Sequence, residues 1–255
     1  TGTNGLFRYA WDCDMKNIRI VNPKIKATST ASGRQYGVLV GHMQGFNRRT
    51  KIENCQVYLS DYGENGKENY SNYQYYGIEA NFQYSIVGGL VGVGESIDIS
   101  NSFSSLYKLV SGWSGCGGLA GGLSSSTVTR CYASVEQMTG TPGYAGMLVG
   151  QSDSTKIDTC YAVGNIAVTS GSIDLGGFVG KCIRTNTGDI KNSYCAVTYT
   201  EKEPQRPFAA YGTDVDYLWT NGSGVIERYG QLMKWNGSGF AAVSAVQSHP
   251  YNEEQ

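Results

Sequence analysis

Two histidines, seven cysteines and 21 acidic residues, in 255, carry whatever acid–base, thiol or metal chemistry this chain has. His42 follows a glycine corner and His249 precedes Pro250. Neither lies in a His-Glu-x-x-His motif. Cys-x-x-Cys and the Gly-x-Ser-x-Gly nucleophile elbow are also absent, so the usual zinc and serine-hydrolase arrangements have no sequence support. Gly92-Val93-Gly94 has no following helix pattern and does not make a phosphate loop. Asp12 and Asp14, and again Asp214 and Asp216, place carboxylates at i and i+2. Calcium would need several more oxygen ligands, so a solvated or capping role is expected and calcium is a weak alternative. The densest recognition chemistry is aromatic. Tyr62, Tyr70, Tyr73, Tyr75 and Tyr76 crowd a polar stretch with Asn65, Asn69 and Asn72, and Trp113 lies beyond it. Tyr with Asn, Ser and Gly suits adaptable binding surfaces, because rings lie against sugar faces while amides bond hydroxyls. The competing reading is a loop whose rings pack inward against its own scaffold.

The scaffold is legible as a repeat. Cys116-Gly117-Gly118-Leu119-Ala120-Gly121 is one of five copies of a single pattern: small or apolar, Gly, Gly or apolar, Leu or Phe, Val or Ala, Gly. The final glycines are Gly41, Gly92, Gly121, Gly150 and Gly180, and the last three steps are 29, 29 and 30 residues. Each copy has a second half with period-two alternation: Ile52-Glu53-Asn54-Cys55, Ile99-Ser100-Asn101-Ser102-Phe103, Val128-Thr129-Arg130-Cys131-Tyr132, Ile157-Asp158-Thr159-Cys160-Tyr161 and Ile190-Lys191-Asn192-Ser193-Tyr194. Short strands separated by glycine corners cannot bury a face alone. Stacked on their neighbours they build a continuous core, which predicts an all-β parallel solenoid of about five coils.

The pairing of Gly-Gly-Leu-Val-Gly with Ile-x-Asn-(Ser/Cys)-(Tyr/Phe) resembles the GLUG repeat of bacterial surface proteins, including adhesins and immunoglobulin-A-cleaving peptidases. The likeness covers about residues 36–198. It implies a right-handed parallel β-solenoid on a secreted or cell-surface bacterial protein. It does not imply one activity, since the peptidases carry their zinc motif in a separate domain.

Around that core, residues 1–35 read as a degenerate first coil. Gly5-Leu6-Phe7-Arg8 stands for the glycine corner, with Arg8 in place of the last glycine, and Met15-Lys16-Asn17 echoes Ile-x-Asn. A strand-like start at Thr1 predicts a piece of a longer or processed chain, with more solenoid before it. The step from Gly41 to Gly92 is 51 residues, and the excess is assigned to an insertion at about 60–85. Shorter elaborations at 106–115 and 137–144 should gather on the same edge and bring Trp113 and Tyr144 to it. The repeat is expected to stop after Val197, and 199–255 to form a non-repeat C-terminal cap. Within the cap Val225–Arg228 reads as a strand and Gln231–Lys234 as a short helix or strand.

A net charge of −1 with 16% charged residues argues against nucleic-acid or membrane-surface binding, and no apolar run approaches the roughly 18 residues a membrane helix needs. Cys55, Cys131 and Cys160 share their repeat position with Ser102 and Ser193, which predicts free thiols packed as small hydrophobes rather than disulfides. Thr127, Thr129, Thr155 and Thr159 do not form the strict rank that ice binding would require. The expected function is an extracellular adhesin-like module that displays aromatic loops to a glycan or host protein, beside other domains of its polypeptide, or serves as a stalk. No cofactor is expected. The alternative is a β-helix polysaccharide lyase or glycosidase, whose carboxylates would have to converge from different coils. Asp98 and Asp158 read as near-equivalent outward positions, with Asp189 just outside their register.

Overall fold

A computed structural model describes residues 5–27, 34–60, 76–169, 174–184 and 189–200, with the strands Ala209–Tyr211, Val225–Arg228, Gln231–Trp235 and Phe240–Ala242. The chain is a parallel β-solenoid with three faces. Sheet 1 stacks seven strands: Phe7–Trp11, Val40–Gln44, Val91–Glu95, Ala120–Ser124, Val149–Asp153, Val179–Ile183 and Ala209–Tyr211. Sheet 2 stacks six: Met15–Lys16, Thr50–Glu53, Ile97–Ser100, Thr127–Thr129, Lys156–Asp158 and Ile190–Lys191. Sheet 3 holds eleven and contains the long strands Gly77–Gly88, Phe103–Gly117, Tyr132–Thr141 and Tyr161–Val168. Every pairing within these three sheets is parallel, and the register keeps like residues over like. Met15, Ile52, Ile99, Val128, Ile157 and Ile190 form one buried file, and the corner leucines Leu39, Leu90, Leu119 and Leu148 form another that ends on Phe178.

Local chemistry fixes the three corners. The glycine corner joins sheet 3 to sheet 1 where backbones of adjacent coils nearly touch. A Cβ on Gly88 would lie 1.9 Å from the Val91 carbonyl oxygen, and one on Gly92 2.4 Å from that of Gly41. No side chain fits there, so glycine recurs. The corner after sheet 2 turns on one left-handed residue per coil: Asn17, Asn54, Asn101, Arg130, Thr159 and Asn192, with φ between 48° and 58°. Asparagine tolerates that conformation best among non-glycine residues, which explains the Asn of the Ile-x-Asn motif.

In the first coil the next residue is Ile18; in the other five it is Cys55, Ser102, Cys131, Cys160 or Ser193, buried and donating to the carbonyl two residues earlier. Ser102, Cys160 and Ser193 also accept a backbone N–H from the coil before: Cys55 N–H to Ser102 Oγ at 3.0 Å, Cys131 N–H to Cys160 Sγ at 3.4 Å, Cys160 N–H to Ser193 Oγ at 3.1 Å. None of the seven cysteines is in a disulfide. The position therefore demands a small hydrogen-bonding group, and the reading of these thiols as mere small hydrophobes is corrected.

Three other expectations change. The segments 106–115 and 137–144 are not loops, for most of their length lies in sheet 3: Lys108, Leu109 and Val110 pair with Gln137, Met138 and Thr139. Most of the excess of the long second coil has two sources, and the rest lies in the irregularity where 81–84 stand opposite Gly112. Gln44 pairs with Glu95 and Thr50 with Ile97, so 45–49 replace the single Ser96. Val57 pairs with Ser104 and Gly77 with Lys108, so 58–76 replace 105–107. The strand Gly77–Gly88 thus belongs to the solenoid and not to the insertion. Finally, the repeat does not end at Val197, because Ala209–Tyr211 adds a strand to sheet 1 in register with Val179 and Lys181. Val225–Arg228, Gln231–Trp235 and Phe240–Ala242 form an antiparallel sheet of three strands, so Gln231–Lys234 is strand and not helix.

Candidate functional site

Carboxylates on several coils are tied into coil-to-coil bonds. Asp12 stands at a left-handed corner (φ 48°) and accepts the Phe46 N–H at 2.7 Å, the Asn47 N–H at 3.1 Å and Asn47 Nδ2 at 2.6 Å. Asp14 accepts Arg48 Nη1 at 2.8 Å and the Lys51 N–H at 3.0 Å. Both aspartates therefore cap the 45–49 loop. Asp98 accepts Arg49 Nη2 and Thr127 Oγ1, each at 2.6 Å. Arg184 bonds both oxygens of Asp153. Glu53 pairs with Lys16 at 2.9 Å, and Glu79 with Lys108 at 3.0 Å.

Partial burial alone would raise Asp98, but Arg49 and Thr127 outweigh it and hold the carboxyl below its ordinary value. The bond to Lys16 lowers Glu53, and that to Arg184 lowers Asp153. A glycosidase acid needs the opposite, a carboxyl pushed up. Asp98 and Asp158 are also not equivalent. Asp98 shares a file with Lys51, Thr127 and Lys156, whereas Asp158 shares one with Glu53, Ser100, Thr129 and Lys191. Asp189, one step before Ile190, falls in the Asp98 file. Burial pushes the Cys55, Cys116 and Cys160 thiols up, which makes them poor nucleophiles. Among the described residues no group of three or more His, Cys, Asp or Glu side chains is placed to hold a metal ion.

Of the aromatic candidates, Tyr62, Tyr70, Tyr73 and Tyr75 lie outside the described residues. Tyr76 is half-buried, and its carbonyl accepts the Lys108 N–H. Trp113 is 65% exposed and Tyr84 54%. Both have left-handed backbones, with φ of 60° and 61°, at an irregularity where Trp113 pairs with Ser85. A bulky residue there is strained, so two neighbouring coils each spend backbone energy to present a ring.

A second aromatic group escaped the sequence reading. Tyr9 and Trp11 project from the outer face of sheet 1, with ring centroids 6.1 Å apart and planes 28° apart. Phe46 meets Trp11 edge-on at 6.4 Å, and His42 lies 6.2 Å from Tyr9. The 45–49 loop pinned by Asp12 brings Phe46 there. The available signal was the i, i+2 pair Tyr9 and Trp11 beside a loop longer than its counterparts. On the outer face of sheet 3, Phe103, Tyr132 and Tyr161 stack at 4.4 and 4.7 Å, which covers at least one face of each ring.

Neither a family model, a curated protein nor a solved structure matches this chain.

Proposed function

We propose that this chain is a module of an extracellular bacterial surface protein of the GLUG-repeat kind, a rigid solenoid that presents exposed aromatic side chains to a glycan. The observation that carries the reading is the strained backbone at Tyr84 and Trp113, which holds two exposed rings on adjacent coils. Exposed aromatic rings lie against flat sugar faces. Repetition along a stack adds multivalency. The lyase or glycosidase alternative has less support, because the carboxylates described above are lowered by basic or hydrogen-bonding partners on other coils. The residue 61–75 stretch, with Tyr62, Tyr70, Tyr73 and Tyr75, remains part of the proposed recognition surface beside Tyr76.

A glycan array tests this with the intact chain, with Trp113→Ala, and with a deletion of 61–75 that leaves the strand Gly77–Gly88 whole. Binding by the intact chain, weakened in either variant, is the expected result. No binding to any glycan would leave a stalk as the better account.

A further inference from the structure

One loop of the solenoid anchors itself with its polar residues and shows its apolar one to solvent. Residues 45–49 stand where the next coil has only Ser96. Asn47 Nδ2 bonds Asp12 at 2.6 Å, Arg48 Nη1 bonds Asp14 at 2.8 Å and Arg49 Nη2 bonds Asp98 at 2.6 Å, so the loop is tied to the coil on each side. Asp12 also accepts the Phe46 N–H at 2.7 Å. The Phe46 ring itself is 63% exposed. It stands against Trp11, 60% exposed, with the two planes 61° apart. Tyr9, 47% exposed, extends the patch. Single exposed apolar side chains are ordinary, but a contiguous group beside an anchored loop marks a contact surface.

This aromatic group opens onto the outer face of sheet 1. One outward file runs Trp11, Gln44, Glu95, Ser124 and Asp153, and its neighbour runs Tyr9, His42, Val93, Gly122, Gln151 and Lys181. The ionic side chains of these files have partners. Glu95 Oε1 lies 3.4 Å from His42 Nε2, Arg184 bonds Asp153, and Lys181 lies 3.5 Å from Asp174. Gln44, Ser124 and Gln151 differ: among the described residues their side chains have no hydrogen-bond partner. At Gly122 the face is open, because a Cβ there would meet nothing nearer than Val93 Cγ2 at 4.0 Å. Exposed rings followed by uncharged donors and acceptors suit a sugar chain, whose ring faces are apolar and whose edges carry hydroxyls. A carboxylate or phosphate would find no unpaired cation in these two files.

We infer that the outer face of sheet 1 binds an uncharged, extended glycan laid along the solenoid axis, with one sugar on Trp11 and Phe46 and the following ones over Gln44, Ser124 and Gln151. From Trp11 to Gln151 is four coil steps, roughly 19 Å at about 4.8 Å per coil. An extended β-1,4-linked chain advances by close to one coil per sugar, so successive sugars meet successive coils. The inference rests on the glycan-binding reading and adds a second site, its sugar class and the direction of the chain. A protein partner would cover the rings as well, but it would have no regular counterpart for unbonded groups repeated from coil to coil.

Isothermal titration of the whole chain and of its Trp113→Ala variant tests the proposal, with cellohexaose, mannohexaose, their disaccharides, maltohexaose and tetragalacturonate as probes. At least one of the two extended hexamers should bind both proteins, about tenfold or more tightly than its disaccharide, because the longer chain engages several coils at once. Coiled maltohexaose and the acidic tetramer should bind more weakly than that hexamer. In the Trp113→Ala chain, adding Trp11→Ala or Phe46→Ala should weaken hexamer binding by about tenfold or more, a common loss when an aromatic anchor is truncated. Gly122→Leu should also weaken it, by filling the open face, and should leave the thermal melt unchanged because its Cβ meets no close neighbour. Full affinity in Trp11→Ala or Gly122→Leu, equal binding of tetragalacturonate, or loss of all binding in Trp113→Ala alone would overturn the inference and leave the glycan-binding reading standing. If neither hexamer binds the intact chain, this site falls. If no glycan on the array binds either, both readings fall.

Discussion

At the corner after sheet 2, Ser102, Cys160 and Ser193 each do two jobs at once. Cys160 Sγ donates to the Asp158 carbonyl at 3.2 Å and accepts the Cys131 N–H at 3.4 Å, and Ser193 repeats both bonds with an oxygen. Serine and cysteine interchange here because each can donate and accept within the same small volume. Cys160→Ala removes both functions and strands a buried N–H, a loss of about 1–3 kcal/mol. Cys160→Ser keeps both and should cost less than about 1 kcal/mol. Urea unfolding of the two variants checks this. An alanine variant as stable as the serine one would return the position to a simple matter of size. The equivalence of Cys and Ser was visible in the sequence. The reason was not, because it depends on a left-handed turn at Asn54, Asn101 or Thr159 that aims the following side chain back at the chain.

At the scale of elements, glycines of one spelling do different work. A Cβ on Gly88 would sit 1.9 Å from the Val91 carbonyl oxygen and 2.4 Å from the Gly121 nitrogen, both backbone atoms that cannot yield. Gly122 faces outward on sheet 1, where the nearest atom to its Cβ is Val93 Cγ2 at 4.0 Å. Gly88→Ala should cost about 3 kcal/mol or abolish folding, the upper range for overpacking. Gly122→Ala should be neutral or stabilise by about 0.4–1 kcal/mol, through the unfolded chain. Melting temperatures for the pair decide it, and equal losses would mean that strand glycines matter here by flexibility rather than by space. The corner repeat was readable from sequence because only glycine survives such contacts. The long strands of sheet 3 were not, because Gly112, Gly115, Gly140 and Pro142 look like loop punctuation. Gly140, with φ of 107°, is instead a kink within a paired strand. Parallel neighbours on both sides supply the order that composition denies it. The aromatic group of Tyr9, Trp11 and Phe46 was hidden for a related reason. The 22-residue excess over the period looked like one insertion, and four of those residues lie in the 45–49 loop that carries Phe46.

In its three sheets the solenoid behaves as a stack in which each coil's strands pair with those of the coils before and after it. Residues 121–149 make up one 29-residue period. Ala120 pairs with Val149, so joining Ala120 to Gly150 keeps strand, corner and glycine in phase. The new neighbours are compatible. Ile99 would meet Ile157 and Phe103 would meet Tyr161, because Val128 and Tyr132 now pair with both partners. Asp98 would trade Thr127 for Lys156, a gain in charge pairing that offsets the lost bond from Arg49 Nη1 to the Ser125 carbonyl. The shortened chain should therefore fold to the same parallel architecture. Its denaturant m-value should fall in proportion to the surface of one coil, because m follows the area exposed on unfolding. Deletion of 121–135 removes about half a period, joins sheet 1 to the middle of sheet 3, and should leave no folded protein. Far-UV circular dichroism and urea titration of the two deletions read the outcome. If both unfold, stability resides in particular contacts of the fourth coil. If only the half-period deletion unfolds, the fold is a property of the repeat and not of any one coil.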